Sequence, residues 1–300
     1  MLLIFFLLFS SVFGIYQIPS SRTKMNSWIH RNFAKPSQIE RTSLILLNTP
    51  LQPELVSQIW KFTSLHICAD GASNRLKNIL PTHIPDLIVG DLDSAKKETL
   101  QYYQQYENIL KNNNKKCEIL NLSNDQDSTD LEKALKQSAL RGCDNAIIIG
   151  QFINQGRLDH LFGMIQSLFK CLQSNKQKSN QNIHSFPFLK NAIVLSEESM
   201  MQLILPQVNN QINTNSKSQS KPQIKEHQLN TIYGHHCGLI PLDGICSNVN
   251  TKGLKWDLKN DELKFGSLVS TSNIIMSDSI TISTDEPLIF TMTLLPPSSE

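Results

Sequence analysis

Residues 43–94 read SLILLNTPLQPELVSQIWKFTSLHICADGASNRLKNILPTHIPDLIVGDLDS. Three short runs rich in Leu, Ile and Val (SLILLN, LHICA and DLIVG) are separated by two longer stretches, PELVSQIWKF and NRLKNIL, whose apolar residues recur at helical spacing. The short runs predict strands and the longer ones helices, with Pro53 at a first turn where a missing N–H costs nothing. The alternation continues through AKKETLQYYQQY, CEILNL, TDLEKALKQSAL, AIIIG (146–150) and LDHLFGMIQSLF. Strands spaced by helices of this length predict a mostly parallel sheet with helices on its faces. Such sheets bind ligands beyond the carboxyl ends of their strands. Asp70, Asp91, Asp93, the 125–130 loop and the segment after Gly150 therefore fall along one rim.

Farther along the chain the pattern breaks twice, at 173–184 and at 206–230, where Gln, Asn, Ser and Lys leave hardly an apolar residue. Neither stretch buries enough surface to offset the entropy of ordering, so both read as solvated insertions. Beyond the second, HCGLIPL, GLKWDL, ELKFGS, SITIST and PLIFTMTL follow one another with Gly, Asn and Asp between them, as in an antiparallel sandwich or barrel. The expected fold class is α/β plus all-β. The α/β domain spans 42–205, a low-complexity linker spans 206–230, and a β-sandwich spans 231–300.

Three hundred residues suit about two compact units, and 40% hydrophobic with 18% charged residues exclude a wholly disordered chain and a polytopic membrane protein. A net charge of +2 gives no strong field for a nucleic-acid backbone, which turns the expectation towards small-molecule chemistry without nucleic acid. Cys68, Cys117, Cys143, Cys171, Cys237 and Cys246 include no CxxC pair, so they read as buried free thiols rather than zinc ligands or a disulfide framework. Residues 1–14, MLLIFFLLFSSVFG, are too short to span the ~30 Å of hydrocarbon in a bilayer, so no stable membrane span is expected. The 1–24 leader is either a signal-like segment, though without a basic start, or an extension upstream of a start at Met25.

The rim is acidic. Asp70 closes one strand, Asp91 and Asp93 form a D-L-D after Gly90, and Asp125, Asp127 and Asp130 crowd DQDSTD. Alternate residues of an extended segment point the same way, which would set Asp91 and Asp93 side by side. Carboxylates so placed raise one another's pKa unless a hard divalent cation holds them ionised. Mg²⁺ bridged to a polyphosphate fits best. Asp125 alone reads as a turn residue. The loop GQFINQGRLDH, with Gly150, Gly156, Arg157, Asp159 and His160 leading into a helix, suits a phosphate cradle, and equally an ordinary strand-to-helix turn. On spacing alone Trp256 is a core residue, and His235 and His236 are a strand start rather than ligands.

Taken in order, ADGASNRL (69–76), PDLIVGDLDS (85–94), DQDSTDLEKAL (125–135), GRLDH (156–160), CGLIP, TKGLKWDL and FGSLVSTSN resemble the thiamine pyrophosphokinases. The likeness covers about 43–293 apart from the polar insertions. It implies an α/β nucleotide domain, a thiamine-binding β-sandwich, and a homodimer with active sites between subunits. It also implies transfer of the terminal pyrophosphoryl group of ATP to thiamine, giving AMP and thiamine diphosphate. Carried over by position, Asp70, Asp91, Asp93 and Asp130 would surround Mg²⁺ and serve catalysis. Gln126, Asp127 and Thr129 would line the cleft, with Gly156, Arg157, Asp159 and His160 towards the nucleotide. Trp256 would face the pyrimidine ring of thiamine, with Ser272 and Asn273 beside it. The resemblance leaves the general base open among the acids. It departs at Gln151, where the family usually has a second Gly, and at Ala72, where Asp-Gly-Gly is common. Alternatives are another Mg²⁺-dependent phosphotransferase or hydrolase, or a non-catalytic thiamine carrier. Unpaired cysteines, the need for ATP, and a sequon at Asn121-Leu122-Ser123 where a glycan would crowd the site favour the cytoplasm.

Overall fold

The computed structural model describes residues 41–109, 116–151, 158–172, 189–196, 199–206, 236–277 and 280–293. Strands β1 (Thr42–Leu46), β2 (Leu65–Ala69), β3 (Leu87–Gly90), β4 (Glu118–Asn121) and β5 (Asn145–Ile149) alternate with helices α1 (Pro53–Trp60), α2 (Ala72–Ile79), α3 (Lys97–Ile109), α4 (Asp130–Leu140) and α5 (Leu158–Cys171). Pro53 opens α1, as its fixed φ and absent N–H allow. Two further strands, β6 (Asn191–Leu195) and β7 (Ser199–Ile204), and then β8 (His236–Ile240), β9 (Cys246–Lys252), β10 (Lys259–Leu263), β11 (Ser270–Ile274), β12 (Thr281–Ser283) and β13 (Leu288–Thr293) complete the fold.

Ten strands form one sheet in the order β11-β8-β13-β7-β6-β5-β1-β2-β3-β4. From β4 to β6 every pairing is parallel. From β6 to β11 every pairing is antiparallel. Successive strands run outward from β1 to β4, and the chain then returns to place β5 on the other side of β1. That reversal between β1 and β5 is a topological switch point, where loops diverge and leave a crevice beyond the strand ends.

Alternation of side chains across the pleat divides the core in two. Leu44, Leu46, Cys68, Ile88, Ile147 and Ile149 face Leu55, Val56 and Ile59 of α1, Leu76 of α2 and Tyr103 of α3. The intervening Ile45, Ile67, Val89 and Ile148 face Leu131 and Leu135 of α4 and Leu168 of α5. The antiparallel third forms the expected sandwich of two layers. Its inner layer, β7, β8, β11 and β13, extends the first sheet, and the separate sheet β10-β9-β12 covers it through Val249, Leu263, Leu239 and Phe290. All six cysteines are buried and free, as their spacing predicts. GLKWDL is not a strand: Leu254 makes one isolated bridge to Ile275, and the segment turns on Asp257, whose carboxylate accepts N–H from Gly253 and Leu254 and the Thr251 hydroxyl. The leader and both polar insertions lie outside the described residues.

Candidate active site

Strand ends deliver the acids. After β2 the backbone turns at Asp70 with φ 45°, a left-handed conformation that a short polar side chain tolerates. Its carboxylate is 3% exposed and accepts the backbone N–H groups of Ser94 at 3.1 Å and Ala95 at 3.0 Å. Those two bonds tie the loop after β3 to the end of β2. Asn74 ties it a second time, donating to the Ser94 carbonyl and accepting the Lys96 N–H. Gly90 ends β3 because nothing larger fits: an added Cβ would lie 2.8 Å from Asp70 Cβ and 3.0 Å from Asp130 Oδ1.

Asp91 and Asp93 do not sit side by side on an extended segment. Leu92 lies between them at φ 64°, so the pleat that would align them is interrupted. Asp91 turns towards Asp70 and Asp130, and the three offer carboxylate oxygens within 4.8 Å of one another. Asp93 stays outside this triad, exposed, accepting the Ser94 hydroxyl at 2.9 Å.

Asp130 is the first residue of α4, where the helix N-terminus favours negative charge. Thr129 caps that helix by accepting the Glu132 N–H at 3.1 Å. Burial pushes the Asp130 carboxyl above its ordinary pKa, with the charges of Asp91 and Asp70 adding to the rise and Lys133 opposing it. Burial likewise raises Asp70, against hydrogen bonds from Ser94 and Gly71 and with help from the charge of Asp91. Asp125 goes the other way, held below the usual carboxylate range by the Ser128 hydroxyl, the turn role expected of it.

A cavity of about 570 Å³ opens over this triad, and its walls come from the switch point: Leu47, Asn48 and Thr49 after β1, Gln151 after β5. Of the sequence-predicted residues, Asp70, Asp91, Asp130, Gln126, Thr129, Asp159 and His160 line it. Asp93 and Asp127 are not among its lining residues. Gly156 and Arg157 lie outside the described residues. Lys133, absent from the residues expected from sequence, is 3% exposed in the cavity wall with its Nζ 3.6 Å from Asp130 Oδ1. Its signal was the i, i+3 spacing in DLEK. Asn48 is absent from them too; it accepts from Arg75 Nε at 2.8 Å and lies against Gly71, where an added Cβ would meet Asn48 Nδ2 at 2.4 Å.

Trp256 is 55% exposed, too open for the core role that spacing alone suggested, and the Lys255 ammonium lies 4.6 Å over one face of its ring. Asn273 is buried and hydrogen-bonded to the backbone of Trp256. Ser272 sits at φ 55° in a bulge of β11 and lines a second, mostly apolar cavity of about 360 Å³. Leu161 of α5 borders both cavities, and Trp256 is among the lining residues of neither.

The arrangement suits a polyphosphate. Three hard oxygen donors converge within 4.8 Å, two of them, Asp70 and Asp130, already destabilised by burial and by the charge of Asp91, which is the donor set and the electrostatic need that a divalent cation meets.

Comparison with known proteins agrees along the chain. A family model for the thiamin pyrophosphokinase catalytic domain matches residues 56–180, and one for the thiamin pyrophosphokinase vitamin B1 binding domain matches 221–289. Thiamine pyrophosphokinase 3 of Oryza sativa subsp. japonica is 31% identical over 271 residues, covering 84% of this chain and 86% of the relative. Thiamine pyrophosphokinase 2 of Arabidopsis thaliana is 29% identical over 274 residues, covering 85% and 86%. The solved thiamin pyrophosphokinase from Candida albicans shares the fold with a TM-score of 0.61 at 19% identity over 85% of this chain and 90% of that one. The yeast thiamin pyrophosphokinase does so with a TM-score of 0.59 at 22% identity over 88% and 89%.

Proposed function

The chain belongs to the thiamine pyrophosphokinase family, and from that premise we propose how its residues divide the work of transferring diphosphate from ATP to thiamine. The observation that carries the assignment is the Asp70, Asp91 and Asp130 triad in a cavity beyond the switch point of the sheet. A cationic vitamin on its own needs no such convergence of acids, whereas a metal-bound triphosphate does.

Asp70, Asp91 and Asp130 would hold Mg²⁺, which when bound offsets the charge of the triphosphate. Asp70 would do so from a carboxylate that two backbone N–H groups keep oriented. Lys133 opposes the negative field at Asp130 and faces the same cavity. Gln126, Thr129, Asp159 and His160 would border the nucleotide, together with Gly156 and Arg157. Asp93 and Asp127 would act from the outer rim. The hydroxyl oxygen of thiamine bonds to the β-phosphorus in line with the departing oxygen. The α,β bridging P–O bond breaks with its electron pair on AMP, and a rim carboxylate receives the hydroxyl proton. Trp256 would stack on the pyrimidine ring, with Ser272 beside it.

The domain assignment, 42–205 for the nucleotide and 231–300 for thiamine, is supported by the two family matches. A homodimer with shared active sites is supported by α5, where Leu158 and Phe162 are 66% and 51% exposed on the helix whose Leu161 and Ile165 line the apolar cavity. The cytoplasm is the proposed compartment, supported by six buried free thiols and the need for ATP.

The test is chromatography of a reaction of purified protein with ATP, Mg²⁺ and thiamine. AMP and thiamine diphosphate in equal amounts are expected. Thiamine-independent ADP or free phosphate would overturn the assignment.

A further inference from the structure

We propose that Asn273 is a positioning residue that sets the thiamine-stacking ring of Trp256 through the Trp256 backbone and makes no contact with substrate. The inference rests on the reading of Trp256 as the thiamine platform.

A carboxamide offers two N–H donors and an oxygen with two lone pairs. In Asn273 all four are engaged by protein. Its Oδ1 accepts the Trp256 N–H at 3.2 Å and the Ile274 N–H at 2.9 Å. Its Nδ2 donates to the Trp256 carbonyl at 2.8 Å and, at a longer 3.5 Å, to the Ser270 hydroxyl. With 2% exposure, the group has no face left for a ligand. An Asn beside a binding tryptophan reads from sequence as a substrate contact; its geometry makes it part of the frame.

The frame holds both polar groups of one residue. Gripping the N–H and C=O of Trp256 together reproduces what a neighbouring strand does in an antiparallel pair, and it fixes the Cα–Cβ direction along which the ring projects. Trp256 needs this because packing does not hold it: the residue is more than half exposed, with Lys255 over one face of the ring. The rest of the turn is already rigid. Lys255 donates to the Ile274 carbonyl, Met276 donates to the Gly253 carbonyl, and Asp257 collects the Gly253 and Leu254 N–H groups. Asn273 is thus the side chain that couples the one exposed ring of this turn to β11. A ring fixed before binding loses less entropy on stacking, so its alignment enters substrate affinity rather than the phosphoryl-transfer step.

The experiment is a double-mutant cycle on thiamine kinetics, using Asn273→Ala, Asn273→Asp, Trp256→Ala and the two combined with Trp256→Ala. Asn273→Asp keeps the volume and the acceptor oxygens but sets a carboxylate oxygen against the Trp256 carbonyl, so it reports even where the alanine variant folds poorly. Each single variant is expected to raise the KM for thiamine about three- to tenfold, the range of an aromatic stacking contact, with the KM for ATP and kcat within about twofold of wild type. In the Trp256→Ala background, replacing Asn273 is expected to add nothing to the thiamine KM. An additive further rise would overturn the proposal by showing a direct substrate contact. An equal fall in kcat/KM for thiamine and for ATP would overturn it in favour of a general structural role. If Trp256→Ala itself leaves the thiamine KM unchanged, the platform reading fails and the proposal falls with it. If Trp256→Ala raises KM and neither Asn273 variant does, the platform stands and the positioning role alone is lost.

Discussion

Asp91 contributes a charge that raises the pKa of both Asp70 and Asp130. A carboxyl whose folded pKa lies above its unfolded value of about 4 contributes stability that is complete at lower pH and is lost as pH rises through the folded value. The metal-free protein therefore carries this repulsion at neutral pH. Burial is the larger cause of both shifts and stays in the variant; Asp91→Asn removes the charge they share, and its Oδ1 can still accept the Asp93 N–H that Asp91 accepts at 3.3 Å. Differential scanning fluorimetry in EDTA is expected to show a melting temperature about 1–3 °C above wild type at pH 7.5, with the gain vanishing towards pH 4. Mg²⁺ should stabilise wild type and not the variant, and kcat should fall at least about 100-fold, the scale of lost metal and charge stabilisation. A melting temperature lowered at pH 7.5, or turnover near wild type, would remove Asp91 from the triad's role.

Helix α4 joins stability to chemistry because its cap and its first residue are neighbours. The Ser167 hydroxyl donates to the Gly163 carbonyl, so its single hydrogen is committed. The 2.8 Å contact between Thr129 Oγ1 and Ser167 Oγ therefore has Thr129 as donor, while Thr129 Oγ1 accepts the Glu132 N–H. One hydroxyl thus caps α4, links it to α5 and holds Asp130 at the cavity. Thr129→Ala should cost about 1–2 kcal/mol in urea unfolding and Thr129→Ser less than about 0.5 kcal/mol, since serine keeps both bonds. If serine costs as much as alanine, the methyl packing of Thr129 and not its hydroxyl holds the helix. The cap signal, Thr129 three residues before Glu132, is present in the sequence, and β1 to β5 and the five described helices were legible there because short apolar runs alternate with longer amphipathic stretches. The strands β6 and β7 were not: NAIVL and SMMQLI adjoin long polar insertions and lack alternation, and only pairing with β5 and β13 identifies them. The triad was legible as composition at strand ends, whereas the turn at Leu92 that separates Asp91 from Asp93 was not. A left-handed leucine has no local sequence signal, and it exists because tertiary contacts, including Leu92 packing against the core, outweigh its strain.

At the scale of the whole molecule, the acids and the tryptophan come from opposite ends of one chain, the acids around the switch point and Trp256 on a turn beside the antiparallel edge strand β11. Trp256 is among the lining residues of neither cavity. If two copies share their sites, the acids of one protomer work with the Trp256 of its partner, and this can be read without a further structure. Asp91→Asn disables every site of its own homodimer, and below the thiamine KM Trp256→Ala lowers every site of its own about three- to tenfold. In a mixed dimer one site receives both substitutions and the other receives neither. Random pairing of equal amounts makes half the dimers mixed, so at thiamine concentrations well below the wild-type KM shared sites should add about a quarter of wild-type activity to the small contribution of the Trp256→Ala homodimers. Sedimentation velocity on the same samples should show a dimer throughout, which separates a failure to associate from a failure to share. If the mixture gives only the mean of the two separate activities, each site is built from a single chain, and the exposed Leu158 and Phe162 of α5 must be covered by something other than a second active-site partner.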